Sequence, residues 1–128
     1  MIKLLEERRR QREKAIKLAQ EYIDKIKEVL TLVSAVLYGS FARGDFNLSS
    51  DIDVLIISDS LPPNPLARLE LLYQFASGGI EPKAYTRGEF IAMLKDGNSA
   101  IVDAVNNGII LIDHGFLTKL RSDLKAPK

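Results

Sequence analysis

The chain has 128 residues, a formal net charge of +1 and no cysteine. That length is one domain of ordinary size, its 46% hydrophobic content excludes general disorder, and near-zero charge speaks against a polyanion binder as a whole. Without cysteine there is no disulfide and no cysteine-ligated zinc site, which suits a cytoplasmic setting. No apolar run reaches membrane-spanning length and the charged N-terminus holds no apolar signal core, so no membrane association is expected.

Residues 2 to about 30 read as one long helix, because Ile16, Ala19, Ile23, Ile26 and Leu30 recur at three- and four-residue steps. Its first part, Lys3 to Lys17, is crowded with charge: Arg8, Arg9, Arg10, Arg12, Lys14 and Lys17 stand against Glu6, Glu7 and Glu13. The simplest reading is a solvated helix start with salt-bridging pairs. A salt-sensitive contact for nucleic acid is the sharper reading but not the favoured one, since no aromatic residue is interleaved to stack on bases.

Thr31 to Tyr38 is expected to form the first strand, and Ser40 to Gly44 one helical turn. Residues 45–50 are rich in turn formers and read as a surface loop. Asp51 to Ser58 is the second strand; its Val54-Leu55-Ile56-Ile57 run lacks alternation and implies burial on both faces. Pro62, Pro63 and Pro65 stop regular structure and start a helix over Leu66 to Ala76, which Ser77-Gly78-Gly79 ends. Ile80 to Tyr85 makes a third strand, and Pro82 demands that it lie at an edge or an irregularity. Thr86 and Glu89 form a capping box for a helix over Arg87 to Lys95. Ser99 is expected to cap a helix over Ala100 to Val105. A last strand over Ile109 to Ile112, a terminal helix over Phe116 to Leu124 and a fraying tail, Lys125 to Lys128, complete the chain. Together these elements predict an α/β fold with a mixed sheet of about four strands and helices mainly on one face.

The chemistry concentrates between Tyr38 and Asp59. Carboxylates two apart on a strand share a face, so Asp51 and Asp53 project together while Ile52 and Val54 point the other way. Two like charges so close repel unless a cation stands between them, and an oxygen-seeking divalent ion is the natural candidate. Gly39 allows close backbone approach, and a turn opening a short helix directs N–H groups at a phosphate. Ser40 adds a hydroxyl. Arg43, one turn on, reads either as a phosphate contact or as an ion-pair partner of Asp45 or the aspartate pair. His114 reads as a turn residue, and Asp103 and Asp113 as solvent-facing.

Gly39-Ser40, followed after ten residues by Asp51-Ile52-Asp53 inside SFARGDFNLSSDIDVLI, resembles the signature of the DNA polymerase beta nucleotidyltransferase superfamily. It is most similar to the minimal nucleotidyltransferase-domain proteins common in prokaryotes. The resemblance implies one nucleotidyltransferase domain over residues 1–128: a long helix over 1–30, the sheet and catalytic core over 31–113, and a C-terminal helix and tail over 114–128. It implies transfer of a nucleoside monophosphate, AMP above others, from a nucleoside triphosphate such as ATP to a hydroxyl acceptor. Gly39, Ser40 and Arg43 would hold the phosphates, and Asp51 and Asp53 would hold Mg2+. A third carboxylate on the next strand, Glu81, would complete the metal set and draw off the acceptor's proton. The resemblance further implies a separate helical partner of the HEPN class, as in toxin–antitoxin-like modules. The alternative is then an antitoxin-like binding protein with little or no turnover. A homo-oligomer is left open.

Overall fold

The computed structural model describes residues 2–125. In chain order these form α1 (Ile2–Ile26), β1 (Ser34–Tyr38), α2 (Ser40–Arg43), β2 (Ile52–Ile57), α3 (Pro65–Tyr73), β3 (Ile80–Tyr85), α4 (Arg87–Lys95), α5 (Ser99–Asn107), β4 (Ile109–Asp113) and α6 (Phe116–Lys125). The expected fraying of the tail concerns Ala126 to Lys128, which lie outside the described residues, and Lys125, which closes α6. Among the described residues no helix is long and apolar enough to cross a membrane.

The four strands form one mixed sheet in the order β3-β2-β1-β4. β1 runs antiparallel to both β2 and β4, while β2 and β3 run parallel. Pro82 lies on β3, an edge strand, where a residue without an N–H leaves no central ladder unpaired. A bulge leaves Leu111 out of register, because Ala35 pairs with Ile112 and Val36 with Ile110.

Alternate residues of the central strands enter two separate cores. Ala35, Leu37, Val54 and Ile56 pack with Ala19, Ile23 and Ile26 of α1 and Leu72 of α3. Val36, Leu55 and Ile57 pack on the other side with Phe90 of α4, Ile101, Ala104 and Val105 of α5, and Leu117 of α6. The helices are therefore shared between the two faces and not gathered mainly on one. The physical reason is present in the chain itself: Val54 to Ile57 are all at most 1% exposed, and a strand so apolar on both sides needs cover on both. Each such residue contributes about 1.5–3 kcal/mol through burial.

Local chemistry sets the element ends. Thr86 accepts from the Glu89 amide at 3.1 Å while the Glu89 carboxylate accepts from the Thr86 amide at 2.8 Å, the expected capping box. Pro65 opens α3 one residue earlier than predicted, with Asn64 accepting from the Leu66 and Ala67 amides. The cap of α5 is Asn98 and not Ser99: its side-chain oxygen reaches the Ala100 and Ile101 amides at 3.1 and 3.2 Å. Tyr22 of α1 ties to α3 by donating its hydroxyl to the Leu72 carbonyl at 2.6 Å.

Candidate active site

At the end of β1 the chain turns through Gly39, with φ 76° and ψ −153°, a backbone that only glycine adopts without strain. Space requires glycine here as well: a β-carbon would overlap Oδ2 of Asp53 on the neighbouring strand. α2 follows as a single turn, and Gly44 closes it with φ 97°.

So short a helix has little stability of its own. Two arginines of α1 supply it. Arg12 donates from Nε to the Phe41 carbonyl and from Nη2 to the Ala42 carbonyl, both at 2.9 Å. Arg8 donates to the Gly44 and Phe46 carbonyls at 2.9 and 3.1 Å, and its guanidinium lies 4.3 Å from the centre of the Phe46 ring. Phe46 in turn stacks on Phe41 at 4.5 Å. The orphan carbonyls at the end of α2 are thus met by cations, which also suit the negative end of its dipole. Arg8 and Arg12 were expected among solvated, salt-bridging charges; the periodicity of α1 gave no signal that they reach the loop after β1.

Three strand positions come abreast beside this turn. Tyr38 of β1 is the register partner of Asp53 of β2, and Asp53 is the register partner of Glu81 of β3. Register partners point to the same face, so Asp53 and Glu81 lie side by side, both half-buried. Asp51, just before β2, is exposed and close enough to add its charge. Ile52 and Val54 point into the opposite core, as their alternation predicts. Burial, then the repulsion of Glu81 and of Asp51, push the Asp53 carboxyl up to about 6, against a weaker pull from Lys83 and Arg43. Tyr38 is pushed above its ordinary range by burial and then by Asp53.

Among the described residues, no three acidic or histidine side chains stand close enough together to cage a metal ion as they lie. The donor chemistry nonetheless fits a hard divalent cation. All three carboxylates offer only oxygen, and such an ion would neutralise the negative charge of Glu81 and Asp51 that, after burial, raises Asp53. An open cavity of about 390 Å³ adjoins Asp53, walled by Gly39, Ser40 and Arg43 on one side and by Ser99 and Asp103 of α5 on the other. A groove of about 470 Å³ lies elsewhere, between α1 and the 47–50 loop, and contains none of the three carboxylates.

Asp103 is the residue that sequence reading missed. It was expected to face solvent alone, yet its Oδ2 accepts from the Gly39 amide at 3.1 Å and from Arg43 Nη1 at 2.7 Å. Its Oδ1 accepts from Asn107 Nδ2 at 3.0 Å. Arg43 also meets Asp45 at 3.3 Å, so of its two expected partners the ion pair with Asp45 forms, while the second carboxylate is Asp103 and not the Asp51–Asp53 pair. Asp113 too is engaged: it accepts from the Ser34 hydroxyl and from the Leu117 and Thr118 amides, capping the first turn of α6. Asp59 pairs with Arg87, away from Asp53. His114 is exposed in the turn before α6, where its amide donates to the Val33 carbonyl at 3.2 Å.

Comparison with known proteins gives a consistent likeness. The family model of the nucleotidyltransferase domain matches residues 16–125. A candidate protein adenylyltransferase of Methanocaldococcus jannaschii is 44% identical over 52 residues, which cover 37% of this chain and 46% of that protein. The match therefore spans less than half the length of that relative. Among solved structures, a candidate nucleotidyltransferase from Sulfolobus solfataricus superposes with a TM-score of 0.64 at 23% identity, over 84% of this chain and 87% of the other. A toxin–antitoxin crystal structure with AMP-PNP superposes with a TM-score of 0.54 at 18% identity, over 81% and 82% of the two chains. At these identities the structural likenesses speak to the fold.

Proposed function

This chain belongs to the nucleotidyltransferase domain family, and from that premise we propose that it transfers AMP from ATP to a hydroxyl acceptor. The observation that carries the reading is the register that sets Asp53 beside Glu81, with Gly39 pressed against Asp53 and both lining one cavity.

In this reading the Gly39 and Ser40 backbone and Arg43 bind the triphosphate. Asp51 and Asp53 hold a divalent cation, Mg2+ in the first instance, with Glu81 beside them. When bound, that ion supplies charge neutralisation at both the attacking and the leaving oxygen. Glu81 accepts the proton of the acceptor hydroxyl; the acceptor oxygen bonds to the α-phosphorus, the α–β bridging bond breaks, and pyrophosphate leaves. Positioning and charge do most of the work in phosphoryl chemistry, which suits a small site on rigid strands.

The acceptor is a protein partner of helical, HEPN-class type, in a cytoplasmic two-component module. The M. jannaschii relative described as a candidate protein adenylyltransferase supports a protein as acceptor, and the toxin–antitoxin neighbour supports a partner protein. So does an exposed apolar stripe on α3, where Leu66, Leu69 and Tyr73 are 63, 51 and 47% exposed at helical spacing. The same stripe favours the second reading, an antitoxin-like binder that neutralises its partner by contact with little turnover.

The test is calorimetric titration of ATP into the protein with and without Mg2+, repeated on Asp51→Asn/Asp53→Asn. Metal-dependent binding that the double variant loses supports a nucleotide held at this site, and AMP transfer to the helical partner is then sought with labelled ATP. Absence of nucleotide binding at millimolar magnesium leaves the binding module.

A further inference from the structure

We infer that Asp103 occupies the seat of a substrate phosphate and leaves it when the triphosphate enters, so that this side chain sets nucleotide affinity. The inference rests on the nucleotidyltransferase reading and deepens it.

The argument begins with one oxygen. Oδ2 of Asp103 accepts at once from the Gly39 amide, 3.1 Å, and from the Arg43 guanidinium, 2.7 Å. A backbone N–H at a glycine turn converging with an arginine on a single anionic oxygen is the arrangement that holds a phosphate oxygen. Gly39 and Arg43 are the donors the proposed function gives to the triphosphate. The single Gly39 N–H cannot serve a phosphate oxygen and the Asp103 carboxylate at once, and a phosphate taking the same Arg43 nitrogen would meet that carboxylate at contact distance, where two anions repel. Asp103 is also out of place as a mere surface acid: its side chain is only 17% exposed, on the wall of the cavity that holds Asp53.

The geometry makes its departure a side-chain event. Oδ1 is already bonded to Asn107, one turn along α5, at 3.0 Å, so the carboxylate keeps an anchor on its own helix when Oδ2 lets go. α5 itself is fixed by Ile101, Ala104 and Val105, each at most 1% exposed, and has no need to move. Before nucleotide arrives, Asp103 holds the turn in its binding shape and neutralises Arg43. Afterwards its charge opposes the ligand. Removing that charge therefore tightens binding.

The experiment is titration of Mg-ATP and of inorganic tripolyphosphate into the wild-type protein, Asp103→Asn and Asp103→Ala, with thermal melting of each to verify the fold. Asp103→Asn retains an amide oxygen that can accept from Gly39, and Asp103→Ala does not. Loss of one charge at contact distance, even with water-like screening, corresponds to about fivefold tighter binding of both probes by Asp103→Asn. The Gly39 amide resonance of the wild-type protein is expected to shift on addition of tripolyphosphate. Equal or weaker binding by a folded Asp103→Asn overturns the inference and makes Asp103 a positioning residue. That result leaves the nucleotide reading intact if the wild-type protein binds Mg-ATP. If neither the wild type nor either variant binds either probe, both readings fall. Binding by Asp103→Asn alone supports both.

Discussion

Gly39 and Asp53 are fitted to each other: the α-carbon of one lies where the carboxylate of the other leaves no room for a β-carbon. The contact joins the turn after β1 to the carboxylate strand. Gly39→Ala therefore carries two costs, a positive φ and an overlap, and is expected to destabilise the protein by about 1–3 kcal/mol. AMP transfer should fall by about 10²-fold, since a misplacement of roughly 1 Å can cost that much in rate, and nucleotide binding should weaken with it. Gly44→Ala is the control. Its φ of 97° is also positive but no atom lies within 4 Å, so it should lose stability without the overlap and lose less nucleotide affinity than Gly39→Ala. Urea denaturation and calorimetry on the two variants decide the matter.

The arginines of α1 separate into structural and solvated members. Arg12 bonds two carbonyls of α2, whereas the exposed side chain of Arg10 makes no hydrogen bond or ion pair among the described residues. Charge-assisted bonds of this kind contribute about 1.5–3 kcal/mol when partly buried. Arg12→Ala is expected to lose about that much in denaturant unfolding and to weaken nucleotide binding through a loosened α2. Arg10→Ala should stay within about 0.5 kcal/mol of the wild-type protein.

Glu81 stands beside Asp53 and is assigned the acceptor's proton. Glu81→Gln keeps size and removes basicity. Transfer of AMP to the acceptor should slow by about 10²–10⁴-fold, the usual worth of a general base. Mg-ATP affinity should change by less than about threefold, because the phosphate donors are untouched. Single-turnover assays with labelled ATP, alongside binding, separate the two. An equal loss of both would make Glu81 a metal ligand first.

Asp113 gives the fold an acid limit. Burial raises its carboxyl, but hydrogen bonds from Ser34, Thr118 and the Leu117 and Thr118 amides prevail and hold it at about 2, below the ordinary 3.8. A group whose folded pKa is depressed contributes stability above its unfolded pKa, and loses it as pH falls through the folded one. The stability difference between the wild-type protein and Asp113→Asn should thus be constant above about pH 4 and shrink between about pH 4 and 2. Near neutrality the variant is expected to cost about 0.5–2 kcal/mol, as for a lost helix cap. Melting temperatures across this range provide the check.

Much of this molecule was legible in the sequence, for local reasons. Hydrophobic periods of two and of three to four residues placed the strands and helices, since each element must turn its apolar side inward. The pleat of a strand put Asp53 on the face opposite Ile52 and Val54 before any fold was known. The Gly39-Ser40 turn, the edge position of Pro82 and the Thr86–Glu89 box follow from the conformations those residues allow. Even the two-sided cover of the sheet was written in Val54 to Ile57, although the helices were expected mainly on one face.

Only the tertiary structure decided what stands beside what. Glu81 meets Asp53 because β3 pairs with β2 in parallel and in one particular register; a slip of one residue would send its carboxylate to the other face. Arg12 reaches Phe41, and Asp103 reaches Arg43 across 60 residues, through the packing of α1 and α5 on opposite sides of the sheet. An isolated charge on a helix gives no local sign of the partner it will meet, because that partner is chosen by the docking of apolar faces and not by the charge. The sequence by itself determined the elements, the turn and the carboxylate pair. The fold brought Glu81 beside Asp53, Arg12 onto the carbonyls of α2, and Asp103 onto Gly39 and Arg43.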